Sequence, residues 1–206
     1  MDNFYEKYGI LPNKEQFDLY QKSFAEILPN HPLSDLTGYK LDSAIFIESG
    51  SLYGDTIQRA LDCGYNTVYS IEIDDGLYKL VKGRFDEQIK NGKVKLYHGS
   101  TIDVLPNILK DIDEPVTFWL DAHLHNGDYG VVHNAPVVEE LSIISEHHVK
   151  SHLVMVDDMR IIRNTSWGRG NMEQTVLEKV KKINPDYDIS YCNGINVNDV
   201  LVAKIK

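Results

Sequence analysis

Residues 44–56 read Ala-Ile-Phe-Ile-Glu-Ser-Gly-Ser-Leu-Tyr-Gly-Asp-Thr, and after a short amphipathic run residues 67–72 read Thr-Val-Tyr-Ser-Ile-Glu. An apolar strand runs into Glu48 and a loop holding Gly50 and Gly54, a helix follows, and a second apolar strand ends on Glu72. This is the plan of a nucleotide-binding βαβ unit, in which ligands sit beyond the carboxyl ends of parallel strands. A dinucleotide site wants Gly-x-Gly-x-x-Gly, so that a pyrophosphate can rest on a helix N-terminus. Here the spacing is Glu-x-Gly-x-x-x-Gly, with an acid opening the loop. A carboxylate there repels a pyrophosphate and attracts a cation, which argues against an NAD(P)-dependent oxidoreductase. The plainer alternative is that Gly50 and Gly54 only permit a tight strand-to-helix turn.

S-adenosylmethionine (SAM) carries a sulfonium, an ammonium and two ribose hydroxyls, and Glu48 and Glu72 suit these groups. The stretch resembles the class I SAM-dependent methyltransferases. That resemblance implies a cofactor site built from Glu48, Ser49, Gly50, Gly54 and Thr56 at the first loop, with Glu72 on the ribose. Ser100 and Thr101 follow the third strand as hydrogen-bonding candidates toward the adenine, and capping of the next helix is an equally good use for them. Asp121 completes the cofactor set.

Working outward, strands and helices alternate. Apolar runs fit buried strands at 44–48, 67–72, 93–98, 116–120 and 152–156, and helical patterns fall near 53–63, 77–90, 101–110, 136–147 and 171–183. Two closing strands, about 187–192 and 199–205, flank a Gly/Asn-rich turn and form a hairpin that adds an antiparallel edge. The expected fold is α/β, Rossmann-like and doubly wound, with a seven-stranded, mostly parallel sheet whose last strand is antiparallel. Residues 1–206 read as one domain, with a helical lead over 1–40 and the core over 41–206. In the lead, Asn13 can cap a helix through residue 27 whose Phe17, Tyr20, Phe24 and Ile27 share a face.

A second constellation is Phe118-Trp119-Leu120-Asp121-Ala122-His123, where a strand delivers Asp121 and His123 to one side just past its end. A third is Leu153-Val154-Met155-Val156-Asp157-Asp158, which brings paired carboxylates to the same edge. Carboxylates with one imidazole suit a hard or borderline divalent ion, Mg²⁺ or Mn²⁺ before Ca²⁺ or Fe²⁺. With Ala135-Pro136-Val137-Val138-Glu139-Glu140-Leu141 between them, these runs resemble the metal-dependent sugar O-methyltransferases of the macrocin type over roughly residues 44–165. The resemblance implies Asp121 as catalytic base and Asp157 and Asp158 as metal ligands. His123 stands where that family usually has a second Asp, which leaves the metal open. The expected site is therefore Asp121 and His123 in catalysis, with Asp121, His123, Asp157 and Asp158 around the ion. The cofactors implied are SAM and a divalent cation, and the acceptor is a small molecule or glycan, with a sugar diol preferred. A hydroxylase-like or other SAM- or metal-dependent enzyme on the same scaffold, and a non-catalytic SAM-binding module, are the alternatives.

His125, Asp128 and His133 lie in a loop with Gly127 and Gly130 and read as solvated or substrate-covering residues. Arg160, Arg163, Trp167 and Arg169 offer an acceptor wall or a plain surface loop. His147, His148 and His152 precede the fifth strand, far from the chemistry, and carry no assigned role. A net charge of −10 speaks against nucleic acid as a partner. No run reaches the roughly 18 apolar residues of a membrane span, and the first residues lack a signal-peptide pattern. Cys63 and Cys192 match no metal motif and read as thiols of a reducing cytoplasm, the expected location. A homodimer is compatible with the resemblance.

Overall fold

The computed structural model describes residues 31–123, 136–164 and 171–206. Two 3-10 turns, Pro32–Ser34 and Leu36–Tyr39, lead into β1 (Ile45–Ser49), α1 (Asp55–Asp62) and β2 (Thr67–Glu72). Then come α2 (Asp75–Arg84), α3 (Asp86–Lys90), β3 (Val94–His98), α4 (Thr101–Leu109) and β4 (Thr117–Leu120). The chain continues through α5 (Val137–Glu146), β5 (Leu153–Val156), α6 (Met159–Ile162), α7 (Glu173–Ile183), β6 (Asp188–Cys192) and β7 (Val200–Lys204).

The seven strands lie in the order β3-β2-β1-β4-β5-β7-β6. Pairing is parallel from β3 through β5, with Ile47 opposite Tyr69 on one side and Phe118 on the other. β7 runs antiparallel to both β5 and β6. The expected seven-stranded fold is thus the observed one, with the closing hairpin at one edge of the sheet and β7 as its inner strand. β7 reads Val-Leu-Val-Ala, is buried through Ala203, and sits between two neighbours. Such a run wants cover on both faces, as inner strands do. β6 carries Asp188 and Ser190 and takes the edge instead.

Alternation sorts the side chains into two cores. One face packs Ile47, Ile71, Phe118, Leu120 and Val154 against α4, α5 and α7. The other packs Phe46, Val68, Trp119 and Met155 against α1, α2 and the turns at Leu33 and Leu36. The single helix expected over 77–90 is two, broken at Phe85, whose buried ring turns under the first loop. Gly54 has φ +82°, and a Cβ there would come within 2.6 Å of Phe85 Cε2. Gly50 also has φ +82°, and its Cβ would lie 3.3 Å from the Asp121 carbonyl oxygen. Both glycines are therefore fixed by conformation and by close approach. The helix expected over 13–27 lies outside the described residues.

Candidate functional site

Every strand from β1 to β5 points its carboxyl end at one edge, and the acidic residues gather there. Glu72 ends β2 and is 5% exposed. Its Oε2 accepts the N–H of Ser51 (3.1 Å) and of Leu52 (3.0 Å), and its Oε1 accepts the N–H of Asp74 (2.8 Å). Burial raises its pKa, against the pull of the N–H donors of Asp74, Leu52 and Ser51. The first loop is thus tied to β2 by this carboxylate, and Gly50 N–H adds a bond to the Ile71 carbonyl (2.9 Å). Oε1 accepts one donor only, so it retains capacity for another.

Glu48 lies on the opposite face of β1 from Ser49 and is completely buried. Its Oε1 takes the Ser70 hydroxyl, while Oε2 has no partner among the described residues. Burial pushes its pKa well above the carboxylate range, against the Ser70 hydrogen bond, and the charge of Asp121 adds to the rise. Burial thus biases Glu48 toward its neutral form. Thr56 sits in the first turn of α1. Ser100 occupies the N-cap position of α4, but its hydroxyl makes no capping bond. Thr101 is buried instead of facing the open edge.

Past β4, His123 stands between two carboxylates: Nδ1 is 3.4 Å from Asp121 Oδ1 and Nε2 is 3.2 Å from Asp158 Oδ2. Burial opposes a charged ring, but the Asp121 hydrogen bond and the charges of Asp121, Asp158 and Asp157 outweigh it and carry His123 up to about 9. Burial raises Asp121, against the His123 hydrogen bond. Burial also lifts Asp158 to about 7, helped by the charges of Asp121 and Asp157. One ligand atom from each of Asp121, His123 and Asp158 falls within 4.8 Å of the others. Two carboxylates and an imidazole at this spacing fit a divalent ion chemically.

Asp157 turns away from this trio. Its Oδ1 accepts the Asp158 N–H (2.7 Å), and its Oδ2 faces Nε2 of buried His31 at 3.4 Å. It belongs with Asp158 and Asp199 to a second set of donors within 4.8 Å. That second set is already bridged by a cation of the protein itself. Arg160 Nη1 reaches Asp158 Oδ1 at 2.5 Å and also pairs with buried Asp199.

Arg160 is thus no open acceptor wall. Neither is Arg163, which donates to Glu173 (2.7 Å) and to the Asn198 carbonyl (2.8 Å) and covers the Tyr191 ring. Trp167, Arg169, His125, Asp128 and His133 lie outside the described residues. A small cleft opens between Asp121, His123, Asp157 and Asp158, floored by Leu120, Val137 and Ile161.

Sequence reasoning missed His31, Asp199 and Glu140. His31 and Asp199 come from irregular segments with no pattern. Glu140 carried a signal: it falls three residues after Val137 and four before Ile144, on the apolar stripe of α5, and it is completely buried. His147 and His152 lie at the amino end of β5, as expected. Cys63 and Cys192 are both free thiols. Among the described residues no helix is long and apolar enough to cross a membrane.

No family model matches the chain, and no curated protein matches it in sequence. Solved structures do match. An O-methyltransferase from Bacillus cereus in complex with S-adenosylhomocysteine (SAH) superposes with a TM-score of 0.57 at 14% identity, covering 100% of this chain and 96% of that one. The fold is the one such methyltransferases have. A candidate caffeoyl-CoA O-methyltransferase from Staphylococcus aureus gives 0.53 at 14% identity, over 93% of this chain and 98% of the other. A candidate rRNA methylase from Clostridium thermocellum gives 0.56 at 18%, over 82% and 91%. At these identities the likeness concerns architecture, and the chemistry rests on the side chains.

Proposed function

We propose that this protein is a SAM-dependent O-methyltransferase acting on a hydroxyl of a sugar, alone or within a glycan, with Mg²⁺ or Mn²⁺ held among Asp121, His123 and Asp158, Asp157 being turned toward His31. One observation carries the reading. A glycine loop tied down by Glu72 and the donor set Asp121, His123, Asp158 share one sheet edge, the latter with ligand atoms within 4.8 Å of one another. The O-methyltransferases of the same fold support it, and the acidic edge and net charge of −10 disfavour an RNA acceptor.

SAM supplies an electrophilic methyl group, and a divalent ion beside it lowers the pKa of a hydroxyl. The chain does the rest. Glu72 Oε1 has room for a ribose hydroxyl. Glu48 Oε2, buried without a partner, is the atom an ammonium would satisfy, and a cation there draws the carboxyl back toward its ionised form. Asp121 would take the acceptor's hydroxyl proton as the methyl group is transferred. Its raised pKa makes it a better base than an exposed Asp. His123 holds Asp121 in place. The remaining gain comes from fixing oxygen, carbon and sulfur in line. A sugar diol suits the site because vicinal hydroxyls chelate a metal well.

A second reading, methyl transfer without an ion, has a specific observation in its favour: Arg160 already neutralises Asp158 and Asp199. Titration of SAM and SAH in the presence of Mg²⁺, Mn²⁺ or EDTA separates the two. Cofactor binding with a saturable metal signal lost in Asp158→Ala supports the first. Cofactor binding indifferent to metal supports the second. No binding of either nucleoside overturns both. With an acceptor in hand, Asp121→Asn must lose turnover while keeping SAH affinity.

A further inference from the structure

Ser49 closes β1 at the cofactor edge, and its side chain performs an unusual double duty. Its Oγ accepts the N–H of Asp121 (3.1 Å) and the N–H of Ala122 (3.2 Å). A hydroxyl has two lone pairs and one hydrogen. Both lone pairs of Ser49 are engaged, so its hydrogen needs an acceptor in a place where water does not reach, since Ser49 is 3% exposed.

Glu140 answers that need. It is 0% exposed, and both of its carboxyl oxygens are sealed from solvent with no partner in hydrogen-bonding geometry among the described residues. A carboxylate left so is costly unless something donates to it. Burial lifts its pKa to about 7, against the hydroxyls of Thr101 and Ser49, which are its polar neighbours. Those two residues begin α4 and end β1. One carboxyl on α5 therefore lies under the ends of three segments: β1, the start of α4, and the turn beyond β4.

We propose that Glu140 is a positioning residue: it accepts the hydrogen of Ser49, and through Ser49 it fixes the backbone that carries Asp121 and His123. The direction of the Ser49 hydroxyl decides whether its lone pairs face the two amides. An acceptor on the α5 side points the hydrogen away from them and the lone pairs toward them. Without it the hydroxyl rotates, one amide loses its acceptor, and the Asp121–Ala122 turn loosens. The consequence for catalysis rests on the methyltransferase reading above, but the hydrogen-bond relay does not.

The test is amide hydrogen exchange of the full chain at residues 121–122, read residue by residue, with unfolding midpoints alongside. Glu140→Leu fills the space and cannot accept. The expected result is roughly tenfold or more faster exchange at Asp121 and Ala122, with the unfolding midpoint unchanged or raised. Glu140→Gln keeps one acceptor oxygen and should restore slow exchange. Ser49→Ala, which leaves Glu140 in place, should reproduce the Leu result and keeps the test decisive if Glu140→Leu does not fold. Unchanged exchange in Ser49→Ala or in a folded Glu140→Leu overturns the proposal, as does fast exchange in Glu140→Gln. If exchange responds as expected but the wild-type protein binds no SAM, the relay stands and the methyltransferase reading falls. If methyl transfer is found, Glu140→Leu should lower kcat about tenfold at an unchanged KM for SAM.

Discussion

Nε2 of His152 lies 3.0 Å from Nδ1 of His147, and the bonds around the pair leave one assignment of protons. His152 Nδ1 accepts the Val116 N–H (3.1 Å), so that nitrogen is bare and its hydrogen is on Nε2. His152 therefore donates to His147, whose own hydrogen is on Nε2 and faces the carbonyls of Ile112 (2.8 Å) and Leu109 (3.1 Å). Burial, with repulsion from His147, pushes His152 down to about 3. In the unfolded chain it titrates near 6.5, so between 6.5 and about 3 the unfolded state binds the extra proton. The stability from neutral His152 is complete above pH 6.5 and is lost as pH falls toward 3. At pH 5 the loss is about 2 kcal/mol. Urea unfolding of wild type and His152→Asn at pH 7.5 and pH 5 checks this. The wild type should lose more stability between the two, and equal losses would rule the account out.

The Glu72 carboxylate is the tie between the first loop and β2 through Ser51 and Leu52. Glu72→Gln puts an amide NH₂ where at least one of three N–H donors must be received. SAH affinity should fall by roughly tenfold or more, the worth of hydrogen bonds to a charged group, and the thermal midpoint should fall by a few degrees because a buried N–H is left unpaired. Calorimetric titration of SAH reads the first and a melting curve the second.

Gly54→Ala meets two obstacles at once. Its φ of +82° is unfavourable for alanine, and the new Cβ would lie 2.6 Å from the buried Phe85 ring. The expected loss is roughly 2–4 kcal/mol. Combining it with Phe85→Leu should recover part of that loss, because the smaller side chain removes the clash but not the backbone penalty. Strict additivity of the two single changes would show that the ring is not the obstacle.

An ion held by His123 must displace a proton, since the ring is charged below about 9. Apparent Mn²⁺ affinity should therefore climb with pH between 7 and 9, by about tenfold per unit for one proton released. In His123→Gln the climb over that window should vanish, although binding weakens. A pH-independent affinity in the wild type would mean that His123 is not a ligand.

The sheet and its edge were legible because their signals are periodic. Apolar runs ending on Glu48, Glu72, Asp121 and Asp157 place those acids at or just past the carboxyl ends of strands whatever the details of packing. Alternation puts Asp121 and His123 on one side, and the structure brings them together with Asp158. Partner choice was not legible, because it depends on rotamers and on segments distant in sequence. Arg160 and Arg163 looked like open cations, yet each finds a carboxylate, Asp199 and Glu173. Glu48 and Glu72 looked equivalent as strand-end acids. One reaches three backbone N–H groups and the other is buried beside Ser70, although both share a face of the sheet; Glu48 sits inside β1 opposite Ser70, and Glu72 is the last residue of β2, where the first loop passes over it. The break at Phe85 escaped notice because a buried aromatic fits a continuous helix as well as a bent one.

The placement of β7 between β5 and β6 bears on how the polypeptide matures during its synthesis. Strands β1 to β5 can assemble in order as they leave the ribosome. Until residues 200–204 follow, the outer edge of β5 offers the unpaired backbone of Val154, Met155 and Val156 to any passing strand. The hairpin that closes it is made some forty residues later, so the nascent chain carries an adhesive edge through that interval. Chaperone dependence and aggregation during expression should concentrate there, and substitutions in β7 should lower soluble yield more than their effect on the finished fold alone explains.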